Sequence, residues 1–103
     1  MQYANHYSFS DITPFEVVRV ISDKTIEVRE MDAERDTSVK LTWEVGGFAG
    51  HCVNQRDQRW TITSNTNNPV VRIRLNKQGT WKDSYGRRFG LSDKPVRFYD
   101  YNF

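Results

Sequence analysis

Short segments in which apolar and polar residues alternate recur along this chain, and they constrain its fold more than any other feature. In residues 70–75, Val71, Ile73 and Leu75 fall on one side of an extended strand, while Arg72 and Arg74 fall on the other. This alternation has the period of two that a half-buried β-strand requires. No stretch shows a sustained helical period. The sequence therefore predicts an all-β fold, a small antiparallel SH3-like barrel or compact sandwich of five to seven strands.

Turn signals separate the alternating segments. Residues 64–69 form a cluster of Ser, Asn, Thr and Pro, and Gly79 closes a later turn at a position where a positive φ is expected. We interpret residues 32–38 and 83–89 as loops and residues 1–14 as an N-terminal arm or edge strand. The predicted strands cover residues 15–21, 25–31, 39–45, 59–63, 70–75, 80–82 and 96–103. A chain of 103 residues is too short for two cores, so we expect one domain over residues 1–103.

Aromatic residues compensate for a modest hydrophobic content. Only 37% of the residues are hydrophobic, but 14% are aromatic, and each aromatic ring buries a large area. We therefore expect Trp43, Trp60 and Trp81 to be pillars of the core or anchors of an interface.

The single cysteine and the apolar pattern indicate the compartment. Cys52 has no partner for an internal disulfide, and no apolar run is long enough to cross a bilayer. Residues 1–6 have neither the basic start nor the apolar middle of a secretory signal. These features favour an intracellular protein that does not associate with a membrane. One cysteine and two distant histidines match no metal-ligand spacing, so we expect no metal and no cofactor.

Charge is distributed unevenly along the chain. Residues 1–51 carry five basic and nine acidic side chains, whereas residues 52–103 carry ten basic and four acidic ones. Ten of the 15 basic residues are arginines, whose planar fork suits phosphates and carboxylates. The asymmetry favours an anionic partner for the C-terminal part. The alternative is that arginines simply solvate the wet faces of the strands.

Residues 46–60 combine three of the six glycines with His51, Cys52 and a run of hydrogen-bonding side chains. In one interpretation, Asn54, Gln55 and either Arg56 or Arg59 recognise a phosphate or a base edge. In the other, the same side chains stabilise the loop itself. We expect the segment to be ordered in either case, because it also contains apolar residues that can fold back over the barrel.

The adjacent His51 and Cys52 also suggest an enzyme. A thiolate–imidazole pair is a nucleophile motif, and Asp57 could serve His51 as an alternative partner. Neighbouring residues of a strand point to opposite faces, however, so the pair needs an irregular backbone. A structural role for both residues is the competing interpretation.

Basic and aromatic residues are interleaved after residue 70. Arg72 and Arg74 share the outer face of a strand, and Lys77 and Lys82 flank the following turn. Arg87 and Arg88 then lie in a loop with Tyr85 and Phe89. Small β domains that bind single strands or nucleotides use this combination. Tyr99, Tyr101 and Phe103 share one face of the last predicted strand and fit a stacking platform, a core or a dimer seam.

Three sequence patterns resemble those of a group of small accessory proteins encoded by phages and mobile elements. They are Lys24-Thr25 with Val28-Arg29 and Met31, then Gly46-Gly47-Phe48 through His51-Cys52 to Gln58-Arg59-Trp60, and the ending Phe98-Tyr99-Asp100-Tyr101-Asn102-Phe103. The resemblance implies an accessory role in the host cytoplasm and brings no catalytic mechanism with it. Such proteins often inhibit a host defence.

We therefore expect a non-enzymatic accessory protein that binds an anionic partner, which would be a nucleic acid, a nucleotide signal or a nucleotide-handling host protein. Two alternatives remain open: a small hydrolase or nuclease that uses His51 with Cys52 or Asp57, and a virion or assembly component that forms a homo-oligomer. The predicted binding residues are Arg56, Arg59, Arg72, Arg74, Arg87, Arg88, Asn54, Gln55, Tyr85 and His51.

Overall fold

The computed structural model of the chain describes residues 2–46, 49–52 and 55–100, with the backbone alone at 43–46 and 49–51. Strands dominate this part, and its one helical element is a 3₁₀ turn at Gln55–Asp57. The strands are β1 (Tyr3–Tyr7), β2 (Ile12–Thr13), β3 (Phe15–Ser22), β4 (Thr25–Glu30), β5 (Asp32–Arg35), β6 (Trp43–Gly46), β7 (Ala49–Cys52), β8 (Trp60–Thr63), β9 (Val70–Leu75), β10 (Trp81–Lys82) and β11 (Arg88–Ser92). Within the described residues, no helix is long and apolar enough to cross a membrane.

Six of these strands close into an antiparallel barrel. Hydrogen-bonded neighbours follow the order β11-β10-β9-β4-β3-β1, and β1 pairs with β11 to close the circle. Strand β2 adds a seventh strand beside β1. The predicted small antiparallel SH3-like barrel is confirmed.

The core fills the inside of this barrel. Its buried members are Ala4, Phe15, Ile26, Val28, Ile73 and Phe89. The rings of Phe15 and Phe89 meet edge to face with centroids 5.0 Å apart, a favourable geometry for aromatic pairs. Trp81 packs against this cluster, as predicted, whereas Trp60 is only half-buried and lies outside it. The side chain of Trp43 is not among those described.

Two hairpin loops have the same five-residue design. In residues 76–80, the side-chain oxygen of Asn76 accepts hydrogen bonds from the N–H groups of Gln78 and Thr80. In residues 83–87, Asp83 does the same for Tyr85 and Arg87. The fourth residue is glycine in both loops, Gly79 with φ 80° and Gly86 with φ 85°, because other residues rarely adopt this conformation. The positive φ predicted at Gly79 is confirmed.

Two small sheets stand apart from the barrel pairings. Strand β5 pairs with β8 in antiparallel register, with Ala33 opposite Ile62 and Arg35 opposite Trp60. Strands β6 and β7 pair with each other, from Trp43 opposite Cys52 to Gly46 opposite Ala49. The predicted charged loop at residues 32–38 therefore holds a strand in its first four residues.

Several predicted element boundaries are wrong. The segment 1–14, predicted as an arm or edge strand, does contain a strand, but β1 is not at an edge, because β11 lies on one side of it and β2 and β3 on the other. Residues 39–42 form no strand, because the chain is still leaving a turn in which Ser38 N–H donates to Asp36 Oδ1 and Val39 N–H donates to the Asp36 carbonyl. The predicted loop at 83–89 ends two residues earlier, because β11 begins at Arg88 and pairs with β1 and β10.

The last predicted strand, residues 96–103, is not a strand in its described part. From Val96 to Asp100 the chain makes only one bridge, in which Phe98 and Ile12 exchange backbone hydrogen bonds of 2.9 and 3.0 Å. Side chains hold the rest of this segment: Asn5, fully buried, accepts from Val96 N–H and donates to the Lys94 carbonyl. Residues 101–103, with the predicted Tyr101 and Phe103, lie outside the described residues.

Candidate anion-binding surface

Three basic side chains form an uninterrupted row across the outer face of the barrel. Arg74 in β9 lies opposite Lys82 in β10, and Lys82 lies opposite Arg88 in β11. All three are exposed. Neighbouring strands are roughly 5 Å apart, so the row spans roughly 10 Å. We call these three residues the cation row.

The cation row has no acidic partner among the described residues. Ion pairs elsewhere join Arg29 to Glu16, Arg72 to Glu27 and Arg87 to Asp83. Like charges directly opposite each other in an antiparallel sheet are destabilising. The row therefore lowers the free energy of unfolding, and a bound anion would offset that loss.

Two exposed tyrosines flank the cation row. Tyr7 in β1 lies opposite Arg88, and its ring passes so close to Gly90 that a Cβ there would stand 2.8 Å from Tyr7 Cε2. Tyr85 is 86% exposed in the loop that joins Lys82 to Arg88. Exposed rings beside cations can stack on bases while the cations contact phosphates.

Arg72 lies on the same outer face, but its charge is partly satisfied. Its Nη2 donates to Glu27 Oε2 at 3.1 Å, and its side chain is 46% exposed. Surface ion pairs of this kind contribute little free energy. An incoming anion can therefore compete with Glu27 for this guanidinium.

Arg87, by contrast, is held by its own loop. Its Nε donates to Asp83 Oδ2 at 2.5 Å, and its guanidinium lies 5.8 Å from the ring centroid of Phe15. Burial alone would raise the pKa of Asp83, but the hydrogen bonds and charge of Arg87 outweigh it and lower that pKa. Arg87 thus stabilises the loop that carries Tyr85, although the sequence placed it among the binding residues.

The predicted residues before β8 occupy a separate region. Gln55 and Arg56 lie in the 3₁₀ turn, and Arg59 follows it. The Gln55 carbonyl accepts from Gln58 N–H at 3.2 Å and from Gln58 Nε2 at 2.7 Å. Arg56 and Arg59 are exposed. None of these residues belongs to the strands that carry the cation row.

The hydrolase alternative stays a prediction. His51 and Cys52 are successive positions of β7, which pairs with β6. Cys52 is buried. The side chain of His51 and all of Asn54 lie outside the described residues, so their predicted binding roles stay predictions. Among the described residues, no cluster of three His, Cys, Asp or Glu side chains could hold a metal ion.

Lys82 and Tyr7 belong to the surface but not to the predicted set of binding residues. Lys82 follows the inward-facing Trp81, so alternation alone places it outside. Nothing local to Tyr7 indicates its position, because that position depends on the pairing of β1 with β11, more than 80 residues later in the chain.

Comparisons with known proteins add no family to this description. No family model matches the chain, and neither curated proteins nor solved structures give a significant match.

Proposed function

We propose that the protein is a non-enzymatic binding protein whose cation row takes an anionic partner, single-stranded nucleic acid. The observation that carries the proposal is the direct succession of Arg74, Lys82 and Arg88 across three strands, with no acidic partner among the described residues. A chain that needed these side chains only for solvation would gain stability from one acidic residue in the row.

The flanking tyrosines favour a single strand over a duplex. Bases can stack on Tyr7 and Tyr85 only when they are unpaired and turned outward. Both rings are exposed, Tyr7 at 44% and Tyr85 at 86%. The cations would then follow the phosphates, and the rings would receive the bases on either side of the row.

The proposed setting is a phage or mobile element, where this binding would inhibit a host defence. Support comes from the sequence patterns and from a surface that can compete for the nucleic acid used by a defence system. In phage plating on defence-carrying cells, the wild-type protein should restore plaques, and a variant without the cation row should not. Equal plating with both proteins would contradict this role.

Fluorescence anisotropy with a labelled single-stranded oligonucleotide tests the binding itself. Replacing Arg74, Lys82 and Arg88 by Gln should abolish measurable binding. In the wild type, the affinity should fall with salt, with a logarithmic slope of about −2 for three phosphate contacts on a single strand. The matched control replaces Arg19, Arg56 and Lys94, which are exposed and lie outside the row, and it should keep most of the affinity.

Two outcomes would contradict the proposal. One is equal loss of affinity in both triple variants, which would indicate a response to net charge alone. The other is salt-dependent binding to an acidic protein surface with no binding to the oligonucleotide, which would replace nucleic acid by a protein partner. Tyr85→Ala tests for a response to net charge alone, because it leaves the charge unchanged while base stacking contributes about 1–3 kcal/mol per base, so the variant should bind the oligonucleotide more weakly.

A further inference from the structure

A second region of the molecule combines an aromatic platform with charges of both signs. Trp60 and Arg97 together line two open depressions, one of about 410 Å³ and one of about 330 Å³. The Arg97 guanidinium lies 5.1 Å from the Trp60 ring centroid and 5.8 Å from that of Tyr99. None of these three residues belongs to the strands of the cation row.

Hydrogen bonds fix the platform in place. The indole N–H of Trp60 donates to Gln58 Oε1 at 2.8 Å. Arg97 Nη1 donates to the Ile12 carbonyl and to Thr13 Oγ1, each at 3.3 Å. An aromatic surface that is fixed before binding loses little conformational entropy when a planar ligand stacks on it.

The two depressions differ in charge. The larger one has Glu30 and Asp32 in its lining beside Met31, Pro14 and Ala33. The smaller one has Arg59 in its lining with Ile62, Pro95 and Val96, and no acidic residue. Arg59 is exposed and forms no ion pair among the described residues. After the hydrogen bonds from Ser38, its positive charge nevertheless contributes to lowering the pKa of Asp36. The Trp60–Arg97 platform therefore borders both an acidic and a basic depression.

We infer that these two depressions together form a groove that binds a nucleoside monophosphate whose base carries an exocyclic amine. The base stacks on the Trp60–Arg97 platform, as unpaired bases do on aromatic and guanidinium planes. Its amino group donates to the carboxylate of Glu30 or Asp32, the pairing by which carboxylates recognise cytosine. The phosphate accepts from the guanidinium fork of Arg59.

The hydrogen bonds that Asp32 already accepts leave room for this arrangement. Its Oδ2 accepts from Asn65 Nδ2 at 2.9 Å, and its Oδ1 accepts from Asn68 Nδ2 at 3.4 Å. A carboxylate offers about four lone-pair sites, so acceptor capacity remains for a ligand. Glu30 is exposed, and its main-chain carbonyl, not its side chain, accepts from Asn68.

Titration with cytidine monophosphate and uridine monophosphate tests this inference, because the two ligands differ at the position of the amine. The indole N–H signal of Trp60, assigned with Trp60→Phe, should shift saturably with the cytidine nucleotide. The uridine nucleotide should bind about tenfold more weakly or worse, because its carbonyl faces a carboxylate. Arg59→Gln should weaken the cytidine nucleotide by a similar factor, and the control Arg56→Gln should not.

Titrations with other ligands give the results that would overturn the inference. Equal affinity for both nucleotides would remove the amine recognition, and cytidine that binds as tightly as its monophosphate would remove the phosphate contact. Inorganic phosphate that reproduces the shift would reveal an adventitious ion only. The triple variant Arg74→Gln, Lys82→Gln and Arg88→Gln should bind cytidine monophosphate as the wild type does. The nucleotide site and the oligonucleotide-binding surface can therefore be disproved independently.

Discussion

Asp83 shows how a single buried carboxylate organises the edge of the proposed surface. It accepts hydrogen bonds from the N–H groups of Tyr85 and Arg87 and from the Arg87 side chain. Its side chain is fully buried in this ion pair. The loop that presents Tyr85 therefore depends on the ionised form of one residue.

Asp83→Asn should lower the free energy of unfolding at pH 7 by about 1.5–3 kcal/mol, the range for hydrogen bonds to charged groups. The lowered pKa of Asp83 means that its contribution is complete above the usual value of 3.8 and is lost as the pH falls through the folded-state pKa. The stability difference between wild type and variant should therefore shrink below about pH 4. Urea denaturation at pH 7 and pH 3 measures this, and a difference independent of pH would contradict the account.

Gln58 connects three parts of the chain that pair with one another through no strand ladder. Its Oε1 accepts from Trp60 Nε1 and from Tyr99 N–H, and its Nε2 donates to the carbonyls of Gln55 and Tyr99. One side chain thus joins the 3₁₀ turn, β8 and the C-terminal segment. Gln58 therefore fixes the Trp60 side of the platform, while Ile12 and Thr13 hold Arg97.

Gln58→Ala should loosen the C-terminal segment while the barrel stays folded. The amide of Tyr99 loses its acceptor, so its hydrogen exchange should become faster by about 10- to 100-fold. The amides of Val28 and Ile73 in the barrel should keep their protection. Unchanged exchange at Tyr99 would show that other contacts hold the segment.

Elements with strong local signals could be predicted, and those defined by distant pairing could not. The alternation in residues 70–75 gave β9 with its observed boundaries. Strand β5, with the sequence Asp-Ala-Glu-Arg, has poor β propensity and forms because β8 lies beside it. Residues 96–100 alternate like a strand, yet their hydrogen bonds go mainly to side chains.

The same limit applies to the surface. Arg72 and Arg74 could be placed outside from their own strand. The alignment of Arg74, Lys82 and Arg88 depends on two hairpin registers. The ion pair that removes Arg87 from the surface depends on a loop geometry that brings Asp83 back to it. The positive charge of the surface could therefore be predicted from the sequence, but which basic residues form it could not.

In the molecule as a whole, part of the long strand β3 has no neighbouring strand along one of its edges. Only Glu16 of β3 pairs with β1, so residues 18–22 have no strand on that side among the described residues. Val20 is 69% exposed there. The register of β3 with β4 shifts at Val18 and at Ile21, and such bulges protect an edge against pairing with another chain.

The protein should accordingly be a monomer of 12.2 kDa. Light scattering after size-exclusion chromatography over a hundredfold range of concentration should give a constant mass. A mass that rises with concentration would favour the assembly component over the binding protein. In that case Val20→Lys should restore the monomer, because a charge on the edge opposes pairing.

The cation row is expected to lower stability and to serve binding, and Lys82→Glu tests both parts of this claim in one protein. The substitution places a carboxylate opposite Arg74 and Arg88. It should raise the free energy of unfolding by about 1 kcal/mol, since opposite-charge pairs across strands contribute about 0.2–1 kcal/mol each. Oligonucleotide binding should be lost in the same sample. A variant that is no more stable than the wild type, or that still binds the oligonucleotide, would contradict the claim.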